Sequence, residues 1–447
     1  MAEIERERWQ QFARMRETAR EIFAAALKNA SIESAFSRNV HCERRVLRIA
    51  EDLHDLDSYS RVFVVSLGKA AHTMAAALEA QVGSSLEGIV ASSVDAGTQV
   101  RGFRYFRGGH PTPNAESIRA ADAILKAVGG LDSASLAIFM ISGGGSSIAE
   151  KPVDDEISLS DLAATYQTLV HSGAPIAEIN TIRKHLSAIK GGRLARAAYP
   201  AQQVSILVSD VPDATPDALA SGPTMPDSTS IQDCERIAAQ YGLVEKFPQS
   251  VADLFRQHAL EETPKSDDPA FVRARWWTVL SNKTAIDEAA AAATRAGFAV
   301  EVDNSCDDWP YDRAAKYLVG RLRELRSKVS RVCLISGGEV TVAVRNGGVG
   351  GRNQQFALAC AEAIAGEDVT VLSAGTDGID GNSPAAGAVV DGSTIERLRG
   401  ETATGVEAAR RALERFDAHP VLEGLGDTVT TGPTGNNLRD LRILLAY

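Results

Sequence analysis

The stretch that most constrains the fold is Ile138-Phe139-Met140-Ile141-Ser142-Gly143-Gly144-Gly145-Ser146-Ser147, an apolar run that stops at three glycines and two serines. A short unbroken apolar run predicts a parallel strand buried on both faces. Glycines at its end permit positive φ and bring backbone amides close to a ligand. Ser146 or Ser147 is placed to cap a following helix. Strand, glycine turn and helix start together make an anion site, because amides without intrahelical partners and the helix dipole converge there. The same succession recurs in Val332-Cys333-Leu334-Ile335-Ser336-Gly337-Gly338-Glu339. Two such turns suggest two α/β units facing one cleft. Neither turn matches G-x-x-x-x-G-K-[ST] or G-x-G-x-x-G. The plainer reading is a tight turn that only packs a helix on its sheet.

A chain of 447 residues suggests two or three domains with sizeable cores. A formal net charge of −11 argues against nucleic-acid binding. An anionic substrate then needs a locally positive pocket, which makes each Lys or Arg beside a glycine turn a candidate. The cysteines (Cys42, Cys234, Cys306, Cys333, Cys360) are odd in number and scattered, with no C-x-x-C or Cys/His cluster, so neither a disulfide framework nor a zinc site is indicated. The charged N-terminus continues as a helix, unlike a secretory signal. No apolar run approaches the roughly 20 residues that span a bilayer. The expectation is a cytoplasmic protein without membrane or nucleic-acid partners.

Along the chain, Trp9, Phe12, Met15, Ala19, Ile22, Phe23 and Ala26 fall on one face of a helix over 5–30. Residues 61–67 read as a strand running into Gly68-Lys69 and a helix, with Lys69 at the turn beyond the strand end. The loop 106–114 is rich in Gly, Pro and polar residues. Between 177 and 193, Arg183, His185, Lys190 and Arg193 concentrate positive charge, with Asn180, Arg183 and Lys184 on one helical face. A solvated basic face is the alternative there. Asp210 ends a strand and suits either a metal ligand or a helix cap or turn. Pro and Asp cluster at 248–270, which places a boundary between domains 1–255 and 270–447. In the second domain, 277–282, 299–302 and 340–344 read as strands. Gly347-Gly348-Val349-Gly350-Gly351-Arg352-Asn353-Gln354 opens a helix over 355–365, with Arg352 beside its start as a candidate bidentate clamp for phosphate or carboxylate. Asp377 and Asp380 suit either Mg²⁺ coordination or an Asp-Gly turn.

Taken together, the motifs resemble the class II glycerate kinase family, glycerate 2-kinases with a MOFRL-type C-terminal domain, over nearly the whole chain. They are Gly68-Lys69-Ala70-Ala71, Ser142 to Ser147, Ile179-Asn180-Thr181-Ile182-Arg183-Lys184-His185-Leu186-Ser187, Lys190-Gly191-Gly192-Arg193 and Ser209-Asp210-Val211-Pro212. Further on come Ala220-Ser221-Gly222-Pro223-Thr224, Gly337-Gly338-Glu339, Gly350-Gly351-Arg352-Asn353-Gln354, Gly375-Thr376-Asp377-Gly378-Ile379-Asp380-Gly381 and Thr431-Gly432-Pro433-Thr434-Gly435. The resemblance implies Mg²⁺- and ATP-dependent phosphorylation of D-glycerate to 2-phosphoglycerate. It implies a two-domain α/β fold, with a Rossmann-like, mostly parallel N-terminal sheet, a smaller α/β C-terminal domain and the active site in the interdomain cleft.

Lys69 and Arg352 match the family's basic active-site positions. The chain departs from the family's usual wording at Asp213, Gln354-Gln355, Asn382-Ser383-Pro384 and Asn436-Asn437. The expected roles follow. Lys69, Arg352 and Asp210 are the catalytic candidates. Ser142, Gly143, Gly144, Gly145, Ser146 and Ser147 take the triphosphate, with Lys190 as a further counter-charge. Asn180, Arg183, Gly337, Glu339, Gly351, Asn353 and Thr376 complete the binding set, and Asp210 with Asp377 would hold Mg²⁺. A homodimer fits this reading. The competing functions are an NAD(P)H-dependent hydroxypyruvate reductase, a kinase for another short sugar acid, and a non-catalytic sugar-acid binding protein.

Overall fold

The computed structural model describes residues 2–344, 347–401 and 405–447. Packing divides it into two compact units, Ile32–Val279 and Met1–Ser31 with Leu280–Tyr447. The sheet of the first unit contains β1 (Arg61–Leu67), β2 (Glu87–Ser92), β3 (Phe103–Arg107), β4 (Ser135–Ser142), β5 (Gln202–Val208) and β6 (Ala274–Leu280), in the order β3-β2-β1-β4-β5-β6. The pairs β1–β2, β1–β4, β2–β3 and β4–β5 are parallel. This is the Rossmann-like order, and the chain reverses its direction of travel across the sheet between β1 and β4. In such sheets ligands bind beyond the carboxyl ends of the strands at that reversal. Leu67 is paired with Ile141, so β1 and β4 end side by side there.

Every residue of β4 is buried, which is why its sequence shows no polar alternation. Ala137, Phe139 and Ile141 share a core with Phe63, Val65 and Leu67 of β1 and with Ala120, Ala121 and Ile124 of helix Ala115–Val128. The intervening residues face the other way, towards helix Ala71–Val82, which packs on β1 and β4 and buries Met74, Ala75 and Leu78. Helix Ala115–Val128 starts at a capping box: Asn114 Oδ1 accepts from the Ser117 amide at 2.9 Å, and Ser117 Oγ accepts from the Asn114 amide at 3.1 Å. Residues 46–49 form the middle strand of an antiparallel meander with 40–43 and 52–55.

In the second unit, β7 (Ala299–Val302), β8 (Val332–Gly338), β9 (Val369–Gly375), β10 (Gly387–Asp391), β11 (Thr428–Val429) and β12 (Asp440–Ala446) lie in the order β7-β8-β12-β9-β10-β11. The strand last in sequence is thus inserted between β8 and β9, antiparallel to both. Helix Ala2–Asn29 belongs to this unit. Its Ala19, Ile22, Phe23 and Ala26 join Ile286, Ala289 and Ala293 of helix Asn282–Arg295 and Cys333, Ile335, Leu372, Ile443 and Leu445 of the sheet.

The compact units therefore part differently from a 1–255 and 270–447 division. The first thirty-one residues bury their apolar face on the far end of the chain. Residues 257–273 stay with the first unit, where Phe271 packs on Ala195 and Ala274, and 274–280 is the sixth strand of its sheet. The strand expected at 340–344 is absent; one bridge at Thr341 is all that forms. Among the described residues no helix is long and apolar enough to cross a membrane.

Candidate active site

In the first unit the turns after β1 and β4 are sewn together. The Lys69 amide donates to Gly143 O at 2.9 Å, and the Ala70 amide to Ser142 Oγ at 3.1 Å. Ser142 is buried and acts as this stitch. Gly144 has φ +82°, and a Cβ there would lie 3.0 Å from His110 Cδ2 and 3.1 Å from Lys69 Cγ. Both the left-handed backbone and the crowding require glycine. Lys69 is exposed. A side chain at 143 would collide with the Asp210 carboxylate, which is half-buried just past β5. Ser147 Oγ donates back to Gly144 O at 3.4 Å. Among the described residues, no protein acceptor is bonded to the amides of Gly144, Gly145 or Ser146. Lys69, His110, Asp210 and the 143–147 turn thus meet at the topological reversal of the sheet.

A second strand of chain braces this turn. Ala220, Ser221 and Gly222 have φ of 50°, 61° and 61°, a strained run of the kind that persists only where surroundings over-determine it. Those surroundings are visible: Gly191 N donates to Ser221 O at 3.0 Å and Gly192 N to Gly222 O at 2.8 Å. The run then presents Ser221 Oγ to Ser146 Oγ at 3.1 Å. The glycine pair after Lys190 therefore serves to hold 220–222 in place. Burial, with a smaller contribution from the Lys69 ammonium, holds the His110 imidazolium below its ordinary pKa. The sequence assigned no site role to His110 or Ser221. The only signal for them was the polar density of the 106–114 loop and of Ser221-Gly222-Pro223-Thr224.

Lys190 requires a correction. Its ammonium is buried in ion-pair contact with Glu150 and 2.9 Å from Tyr166 Oη, while Ser187 Oγ donates to Glu150 at 2.6 Å. A charge matched inside the core does not counter a triphosphate. Burial also lowers the Lys190 pKa. Arg183 lies over the Tyr166 ring at 4.5 Å, and Asn180 is half-buried on the same helix, Ile176–His185. The positive cluster is real, but three of its four members, His185, Lys190 and Arg193, are buried.

The second unit corrects the reading of the other glycine turns. Gly337 and Gly338 remain within β8, and their amides are already taken: Gly337 N donates to Asn304 Oδ1 at 2.8 Å, Gly338 N to Asn282 Oδ1 at 2.9 Å, and Glu339 N to Asp307 Oδ1 at 3.0 Å. The start of helix Arg352–Ala363 is occupied as well. Asp380, 2% exposed, accepts from the Asn353 amide at 3.0 Å and the Gln354 amide at 2.9 Å. Burial raises the Asp380 carboxyl to about 6 against the pull of those hydrogen bonds. The anion at this helix start is thus the protein's own.

Arg352 does form a bidentate clamp, but on Asp440: Nε to Oδ2 is 2.6 Å and Nη2 to Oδ1 is 3.0 Å. Its Nη2 also reaches Glu339 at 2.9 Å. Asn353 is buried and accepts from Ser373 Oγ at 2.6 Å. Thr376 is buried, donating to Arg439 O at 2.8 Å and accepting from the Leu438 amide at 2.7 Å. Both therefore shape the site without facing a ligand. Asp377 caps its own turn through the Ile379 amide at 3.1 Å, and a Cβ at Gly375 would lie 3.0 Å from Asp377 Oδ1 and 3.5 Å from Asp440 Oδ1. Asp440, buried at the start of β12, was not anticipated; nothing local in Leu438-Arg439-Asp440-Leu441 marks it. Among the described residues no group of three or more His, Cys, Asp or Glu is arranged to hold a metal ion. Mg²⁺ in phosphoryl-transfer sites is commonly held by one or two carboxylates together with substrate phosphates, so Asp210 beside the 143–147 turn has suitable donor chemistry.

Comparison with known proteins finds relatives over most of the chain. Residues 18–256 match the model of a domain of unknown function (DUF4147) and residues 332–440 that of the MOFRL family. The D-glycerate 2-kinase of Thermotoga maritima is 36% identical over 391 residues, 86% of this chain and 90% of that protein. A provisionally named hydroxypyruvate reductase of Agrobacterium vitis is 36% identical over 438 residues, 96% of this chain and 94% of that protein. The crystal structure of a glycerate kinase from Thermotoga maritima superposes with a TM-score of 0.83 at 32% identity, covering 97% of this chain and 100% of that one. With both domain models matched in order and such identity over most of its length, the chain belongs to the class II glycerate kinase family with a MOFRL-type C-terminal domain.

Proposed function

We propose that this protein phosphorylates D-glycerate from ATP, giving 2-phosphoglycerate. The observation that carries the reading is the 143–147 turn at the reversal of the first sheet, whose Gly144, Gly145 and Ser146 amides have no protein acceptor among the described residues, with an exposed Lys69 and a carboxylate, Asp210, around it. Phosphoryl transfer needs positioning and charge stabilisation more than covalent chemistry from the protein. The turn's amides hold phosphate oxygens, and Lys69 balances the charge that develops on them. Asp210 would hold Mg²⁺ together with those oxygens, the ion supplying further neutralisation of phosphate charge. Arg352, anchored on Asp440 and partly exposed, is proposed to exchange its contact with Glu339 for the acid's carboxylate or the transferred phosphoryl. Asn180 and Arg183 are proposed as further contacts, and Asp377 as a second Mg²⁺ ligand.

The reductase reading lacks its binding apparatus. The sheet has the Rossmann-like order, yet the turn after β1 reads Leu67-Gly68-Lys69-Ala70-Ala71-His72, without the G-x-G-x-x-G that admits a pyrophosphate. The test is a phosphate-acceptor screen with ATP and Mg²⁺, the product being identified by phosphorus NMR. A phosphate on the 2-position of D-glycerate is expected. NAD(P)H oxidation with hydroxypyruvate and no ATP turnover would overturn the proposal.

A further inference from the structure

We propose that Asp380 is a positioning residue for Arg352, holding the backbone of its helix from a separate loop; this rests on the role given to Arg352 above. Four amides at a helix start lack intrahelical acceptors, and the N-cap of helix Arg352–Ala363 is Gly351, which has no side chain to supply one. Asp380 substitutes for the missing cap. Besides the two amides it binds, its Oδ2 accepts from Gln354 Nε2 at 3.0 Å and its Oδ1 from Asn353 Nδ2 at 3.4 Å. Both its oxygens are thus committed to one turn of helix.

The loop that carries Asp380 is itself docked on the approach to that helix. Asn382 Oδ1 accepts from the Gly350 amide at 2.9 Å, and Asn382 Nδ2 donates to Gly348 O at 2.9 Å. Ser383 Oγ accepts from Gln354 Nε2 at 2.7 Å. A side chain at Gly351 would overlap Asp380, so the two loops are in close contact. Arg352 is the first residue of the helix. Its head is fixed by Asp440 on the central strand of the sheet and its backbone by the Asp380 cap. Without the cap the first turn unwinds, and the guanidinium leaves the position that Asp440 alone cannot define.

The test is a double-mutant cycle. Asp380→Asn keeps one acceptor and should lower kcat about tenfold, and Asp380→Ala by about a hundredfold, the scale of a misplaced catalytic group. KM for ATP should move far less than kcat, because the phosphates are held by the 143–147 turn and Lys69 while Arg352 is assigned to the acid or to the phosphoryl in transfer. In an Arg352→Ala background, Asp380→Asn should cost nothing further in kcat. A purely structural role would multiply in both backgrounds. Gly351→Ala, which pushes on the same carboxylate from the other side, provides a second route should Asp380→Ala not fold. Wild-type kcat in Asp380→Asn and Gly351→Ala, or the same fold-loss with and without Arg352, overturns the proposal alone. Wild-type kcat in Arg352→Ala overturns it together with the reading beneath it.

Discussion

Ser142-Gly143-Gly144 at the end of β4 and Ser336-Gly337-Gly338 at the end of β8 are spelled alike, and they meet opposite fates. At the first, the Gly144, Gly145 and Ser146 amides have no protein acceptor among the described residues, and an exposed lysine stands beside them. At the second, Asn304, Asn282 and Asp307 accept from three successive amides. The helix that follows at Arg352 is closed in the same way by Asp380. A glycine turn opens backbone amides; side chains elsewhere in the chain decide whether a ligand finds them unoccupied. The first turn leaves its amides open, and the second is built to hold Glu339 and Arg352 in register with β12.

The comparison breaks most sharply at its lysines. Lys69→Ala removes a contact to developing phosphate charge, worth roughly 3–4 kcal/mol, so kcat/KM should fall by about a hundredfold or more while the melting temperature stays put. Lys190→Ala should do the reverse. It strands Glu150 in the core, costing about 3–5 kcal/mol of stability, while KM for ATP in the folded fraction stays near wild type. Calorimetry paired with steady-state kinetics separates them, and loss of ATP affinity in a folded Lys190 variant would restore it to the nucleotide site.

Next in size is Asn282→Ala. The Asn282 side chain accepts from Gly338 N and donates to Leu438 O at 2.6 Å and Asp440 O at 3.0 Å. Leaving such groups buried and unpaired costs about 1–3 kcal/mol each. The expected outcome is a clear drop in melting temperature with KM for ATP unmoved. A large rise in that KM would mean that the second turn binds nucleotide after all.

Gly144→Ala and Gly338→Ala sharpen the contrast further. Both residues have φ of +82°, so each substitution meets the same backbone penalty of about 1–2 kcal/mol. Only the first should also raise KM for ATP, by about tenfold, since its Cβ would crowd Lys69 and His110. Equal rises in both would erase the distinction between the turns.

Much of the fold could be read from local pattern. Residues 62–65 and 136–141 are unbroken apolar runs because both faces of β1 and β4 are covered, and that leaves a signature in the residues themselves. The placement of helix Ala2–Asn29 left none. Its apolar face shows that it packs, but not that its partner sheet lies at the other end of the chain. Lys190 misled, and Asp380 stayed open between metal ligand and turn, for the same reason. Charge and Asp-Gly turns are legible in a sequence, whereas Glu150 beside one and the helix start beneath the other are tertiary facts. Lys69, Gly143 and Asp210 were legible because strand ends in a parallel sheet converge by topology, so three separate motifs point to one place before any coordinates are known.

The smallest effect probes that convergence directly. His110 lies against the 143–147 turn with its pKa lowered, chiefly by burial and in part by Lys69. Lys69→Met removes the like charge and keeps most of the side chain's bulk. With the cation gone the imidazolium is less disfavoured, so the His110 pKa should rise. An NMR titration of the histidine ring resonances reads this without any substrate. If His110 titrates identically in the two proteins, Lys69 does not lie over the glycine turn, and the first unit's site loses the cation that distinguishes it from the second.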